Sequence, residues 1–260
     1  MLNDIVTGKK HLFSSGVNTE LRAQKNLTRG VTILNGSLVA NVRNENTGVS
    51  CRVYSNGVYG FSSTAEYSDS AVDAVLKAAS ENAAFMATHA GKNKGALPSL
   101  SDGASRTIYD LTDVEQKTYI DFAMEIDDYI KDKYPDLLSR AVSVRADSME
   151  KLIAVSNGFD SHSVMPRSYV YVFLTAQTPD GTPVEMYDVF GGGDTFDRNF
   201  LKPSDCFEKI DRLYIRIKEK CEGVYPEAGE KTVILGGILS GMLAHEAVGH
   251  TVEADLVLGG

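Results

Sequence analysis

Near its end the 260-residue chain reads Met242-Leu-Ala-His245-Glu246-Ala-Val-Gly-His250-Thr-Val-Glu253-Ala-Asp255, so two of its five histidines bracket a glutamate within six residues. In a chain of this composition an H-E-x-x-x-H pattern arises by chance only about 0.005 times. These residue types suit metal-assisted hydrolysis. Neutral imidazoles are good ligands for Zn2+, and a carboxylate beside the first one is placed to take a proton from activated water. His245 and His250 are therefore the candidate zinc ligands and Glu246 the candidate general base. The plainer alternative is a helix end whose polar groups are simply satisfied.

The familiar metalloprotease spacing, H-E-x-x-H, puts its histidines one helical turn apart. Here the spacing is i, i+5. At about 100° per residue, His250 would lie about 140° around a straight α-helix from His245, too far for both to hold one ion. The spacing predicts a bulge or break, with Gly249 as the place for it.

The rest of the chain reads as the scaffold for that helix. Val31–Leu34, Leu38–Val42, Val49–Tyr54 and Val58–Phe61 are short apolar or alternating runs. They are separated by turn signals at Asn35-Gly36, Asn46-Thr-Gly48 and Asn56-Gly57, which suggests an antiparallel meander. A helix is expected over 69–87, with Val72, Val75, Leu76, Ala79 and Ala83 on one face. A Gly/Ser/Pro-rich loop follows over 91–105. Thr112 and Glu115 form a capping box for a second helix, buried through Tyr119, Phe122, Ile126 and Ile130 and stopped by Pro135.

Strands return at 141–146, 152–155 and 168–175, with turns at Asn157-Gly158 and Pro179-Asp-Gly181. A third helix spans 204–221 with Phe207, Ile210, Tyr214, Ile217 and Cys221 on one face. Lys231–Leu235 reads as a further strand leading into the apolar helix from Gly237. The order is not a strict βαβ alternation. It predicts an α+β fold, a mostly antiparallel sheet with helices packed on it, followed by the apolar helix that carries H-E-x-x-x-H. Strands followed by a helix in both 17–90 and 138–222 suggest a weak duplication, which no residue-level repeat supports. We expect an N-terminal α+β domain over 1–225 and the start of a catalytic domain over 226–260, cut short at Leu258-Gly259-Gly260.

Composition narrows the class. With 43% hydrophobic and 23% charged residues the chain is that of a globular protein, and no apolar run reaches the roughly 18 residues of a membrane span. The net charge of −9, without a basic stripe, argues against direct nucleic-acid contact. Three scattered cysteines, Cys51, Cys206 and Cys221, read as reduced buried thiols of a cytoplasmic protein. His11, His89 and His162 read as surface histidines. Phe190-Gly-Gly-Gly-Asp194-Thr195 lacks the spacing of a phosphate loop and reads as a strand-to-loop turn.

The stretch from His245 to Asp255 resembles the signature of the TldD/PmbA family, named for modulation of DNA gyrase and containing TldD-type zinc metallopeptidases. Two looser segments are similar to that family as well. One is Gly48-Val-Ser-Cys-Arg52-Val-Tyr-Ser-Asn-Gly57-Val-Tyr-Gly60-Phe61, and the other is the Gly191–Gly193 cluster. The resemblance implies a cytoplasmic peptidase acting on small or unfolded peptides with Zn2+. Its histidines would be the ligands and its glutamate the base, and it would work as a homodimer or as a heterodimer with a PmbA-type sister subunit. PmbA-type subunits lack the zinc motif, which places this chain on the TldD side. The family's third ligand is a late cysteine, and none follows Cys221 here. Glu253 or Asp255 would be the substitutes within the chain, and without a third ligand the chain is expected to be inactive alone. The alternative within the same family is a non-catalytic dimerisation or peptide-binding module.

Overall fold

The structure is a computed structural model that describes residues 1–89 and 102–253. It divides into two compact units, Met1–Glu222 and Gly223–Gly260.

The first unit is built on one sheet. β1 (Asn18–Leu34), β2 (Ser37–Ser55) and β3 (Val58–Thr64) form an antiparallel meander, and α1 (Asp69–His89) follows. After β4 (Ala104–Ile108) and α2 (Gln116–Lys133) the same order returns. β5 (Ser139–Val155), β6 (Asp160–Gln177) and β7 (Pro183–Gly192) make a second meander, followed by the single turn α3 (Phe196–Asn199) and by α4 (Phe207–Cys221). β1 and β5 pair antiparallel and join the halves, giving the order β3-β2-β1-β5-β6. β4 and β7 share the outer edge of β6, and β4 is parallel to it. The expected α+β class holds, and the duplication is visible as topology.

One face of these long strands carries the apolar residues. Leu21, Ala23, Val31 and Ile33 of β1 lie opposite Ala154, Leu152, Val144 and Val142 of β5, and all eight are buried. Burying each larger aliphatic side chain is worth about 1.5–3 kcal/mol. The face supports two cores. At one end α1 packs through Val72, Val75, Leu76, Ala79 and Ala83 against the start of β1 and the end of β2. At the other, α2 and α4 pack through Phe122, Ile126, Ile130, Ile210, Leu213 and Ile217 against β5 and β6.

The strands are longer than the apolar runs suggest. Residues 18–30 belong to β1, and β2 runs unbroken through Asn46-Thr47-Gly48, which is not a turn. Gly48 is a packing residue: a Cβ there would meet the Thr64 carbonyl oxygen at 2.7 Å. The Asn35-Gly36 and Asn56-Gly57 turns are present, each residue having positive φ as a type I′ turn requires. The capping box is not formed. α2 starts at Gln116 with Glu115 as its N-cap and no side-chain cap. The strand expected over Lys231–Leu235 is not formed; the segment is irregular. Most of the loop expected over 91–105 lies outside the described residues; its last residues, 104–105, open β4.

Gly60 explains part of the Gly57-Val-Tyr-Gly60-Phe61 segment. A Cβ on Gly60 would lie 2.1 Å from the Ala79 carbonyl oxygen and 2.2 Å from the Ala83 nitrogen, so only glycine lets α1 rest on β3. Those atoms are helix backbone and cannot step aside. Gly60→Ala is expected to lower stability by about 3 kcal/mol in urea unfolding. An unchanged midpoint would contradict this packing.

Candidate metal centre

The second unit contains the short apolar helix α5 (Gly237–Ala244), whose Ile238, Leu239, Met242 and Leu243 are exposed. The helix then changes pitch. His245–Gly249 is a π-helical turn, in which the His250 N–H donates to the His245 carbonyl oxygen, an i→i+5 bond. A 3-10 turn over His250–Val252 ends at Glu253, where the backbone becomes extended. The wider turn resolves the spacing problem: it accommodates the extra residue and brings the two histidines to the same side.

One donor atom each from His245, Glu246 and His250 lie within 4.8 Å of one another. The two imidazoles are 4.4 Å apart between centroids and inclined at 72°. His250 Nε2 is 3.6 Å from Glu246 Oε2. On the other side of the ring, His250 Nδ1 is 2.6 Å from Glu253 Oε1. Two imidazoles with an adjacent carboxylate are a donor set that zinc accepts, so the residues fit the metal. Glu253 stands behind His250, outside the three-residue cluster. Asp255 lies outside the described residues.

The remaining candidates separate clearly. Cys51, Cys206 and Cys221 are free and buried, as expected. Burial pushes the Cys51 thiol up to about 12 and the Cys206 thiol up to about 11, which keeps both protonated and unreactive. His11 and His89 are exposed. His162 is not a surface histidine, because it lies within β6 with its side chain only 17% exposed. Its Nε2 is 2.9 Å from the buried Glu150 Oε1, and the Leu2 N–H donates to the other carboxylate oxygen of Glu150. This pair ties the N-terminal segment to the sheet.

The glycine cluster forms the exit of β7, which ends at Gly192. Gly191 has φ +115° and no room for a Cβ beside the Ser168 carbonyl oxygen. Asn199 Nδ2 donates to Ser168 Oγ and to the Gly192 carbonyl, locking the strand exit.

A cavity of about 290 Å³ lies over the middle of the sheet, lined by Leu27, Arg29, Asp113, Tyr119, Asp147 and Arg167 among others. Both guanidiniums are already paired, Arg29 with Asp113 and Arg167 with Asp147. It offers no unpaired cation to an anionic ligand.

Comparison with known proteins bears on the family and the fold. The family model described as PmbA/TldA metallopeptidase domain 1 matches residues 19–83, and that of the PmbA/TldA metallopeptidase central domain matches residues 109–235. A metalloprotease from Methanothermobacter thermautotrophicus is 25% identical over 242 residues, covering 93% of this chain and 51% of its own. The chain thus spans about half the length of that relative. Among solved structures, TldE from Thermococcus kodakarensis superposes with a TM-score of 0.57 at 10% identity, covering 84% of this chain and 46% of its own. A candidate modulator of DNA gyrase from Bacteroides thetaiotaomicron gives 0.56 at 13% identity, with 79% and 47% covered. At such identities the superpositions speak to the fold alone.

Proposed function

The chain belongs to the PmbA/TldD metallopeptidase family, and from that membership we propose that it supplies the zinc-binding helix of a peptidase that hydrolyses small or unfolded peptides. The observation that carries this is the π turn that gathers His245, Glu246 and His250. The alternative, a non-catalytic dimerisation or peptide-binding module that keeps the motif without a complete site, takes up no metal at any zinc concentration.

His245 and His250 would hold the ion. When bound, zinc polarises the peptide carbonyl and makes water acidic enough to attack it. Glu246, exposed and beside both imidazoles, accepts the proton of the attacking water and passes it to the departing amine. A third protein ligand completes such a site. A cysteine, as the family resemblance implies, is the proposed donor; Cys51, Cys206 and Cys221 are all buried in the sheet unit.

We further propose a cytoplasmic location and a dimer, formed with a second copy or with a PmbA-type sister subunit. No helix among the described residues is long and apolar enough to cross a membrane. The net charge of −9 supports peptide over nucleic acid as the direct partner. The test is a zinc titration of the chain beside its His245→Ala variant: about one zinc per chain, lost in the variant, supports the reading, and no uptake at any zinc concentration contradicts it.

A further inference from the structure

The geometry points to Glu253 as a positioning residue that orients His250 for the metal, a role which rests on the zinc reading of His245 and His250. Its sequence position makes Glu253 a substitute third ligand. The structure puts its carboxylate elsewhere, on Nδ1 of His250 at 2.6 Å. An ionised carboxylate only accepts, so Nδ1 carries the ring proton. Nε2 then keeps its lone pair, and that nitrogen is the one facing Glu246 at 3.6 Å.

The backbone favours this arrangement. The 3-10 turn His250–Val252 closes with the Glu253 N–H donating to the His250 carbonyl, and the chain leaves in extended conformation. The carboxylate therefore folds back onto the ring three residues earlier. Carboxylates placed behind metal-bound imidazoles fix the tautomer, hold the ring and raise its basicity. Glu253 would do this from behind His250, outside the cluster of His245, Glu246 and His250.

Two substitutions separate positioning from ligation. Glu253→Ala removes the acceptor. Glu253→Gln keeps a carbonyl oxygen that still accepts from Nδ1–H but is a poor zinc donor. Long-range 15N–1H correlation spectra of the metal-free chain read the His250 tautomer directly. Wild type is expected in the Nδ1–H form, Glu253→Ala to lose that preference, and Glu253→Gln to restore it. Competition titration with Zn2+ or Co2+ is expected to show 10–100-fold weaker binding for Glu253→Ala and most of that loss recovered in Glu253→Gln. Glu253 is exposed, so circular dichroism of both variants should match wild type.

A His250 tautomer unchanged by Glu253→Ala overturns the role. So does a Gln variant that binds metal as poorly as the Ala variant, which is the behaviour of a ligand. A wild-type chain that takes up no metal while showing the predicted tautomers overturns the zinc reading and leaves the Glu253–His250 coupling established.

Discussion

Glu246→Gln in the whole protein is expected to slow peptide hydrolysis by roughly 10²–10⁴-fold while the metal stays bound. The amide has the size and reach of the carboxylate but cannot take a proton at neutral pH. The loss should appear in kcat with little change in KM, because the proton moves only as the bond is made and broken. Metal content separates the roles. His245 and His250 supply the imidazole donors, so zinc stoichiometry should survive the substitution. If zinc were lost together with activity, Glu246 would be a ligand and the base would have to be sought elsewhere.

The second large effect lies in the sheet unit. Asp127 on α2 is fully buried, and its Oδ2 accepts a 2.9 Å bond from the Arg140 guanidinium. Arg140 Nε also donates to the Asp127 carbonyl, and its backbone N–H donates to Asn35 Oδ1 at the β1–β2 turn. The pair thus ties α2 to the start of β5 and to the first hairpin. Arg140→Ala would leave a buried carboxylate with no countercharge, and a loss of about 3 kcal/mol is expected in urea unfolding. Arg140 is 17% exposed, which places the effect at the lower end of the buried-pair range. Asp127→Ala together with Arg140→Ala should cost clearly less than the sum of the two single changes. An additive double variant would mean that the two side chains do not act as a pair.

The helices were legible because their apolar positions recur at helical spacing. Tyr119, Phe122, Ile126 and Ile130 are all buried, and so is the whole predicted stripe of α1. The strands were half legible. Ile33 and Val142 announce themselves, whereas residues 18–30 alternate polar with small apolar groups because one face of the sheet is not covered by the helices. Asn46-Thr47-Gly48 imitates a turn, since a glycine required for close packing looks no different in sequence from one required for positive φ.

At the candidate site, the i, i+5 spacing demanded a departure from the α-helix, and a π turn answers it. The partner of His250 was hidden, because a carboxylate three residues on fits a ligand and a supporting acceptor equally well. Only the direction of the Glu253 side chain separates the two. His162 looks like a surface histidine in the sequence for a related reason: its neighbour Glu150 lies twelve residues away and meets it only across the β5–β6 hairpin.

The most direct test of the central claim is a competition titration of the purified 260-residue chain and its His245→Ala and His250→Ala variants with Zn2+, read as stoichiometry and affinity. One zinc per chain in wild type, with affinity reduced at least 100-fold in each variant, is the predicted result. A wild-type chain that binds no zinc, or variants that bind as tightly as wild type, would contradict the assignment of His245 and His250 as the ligands.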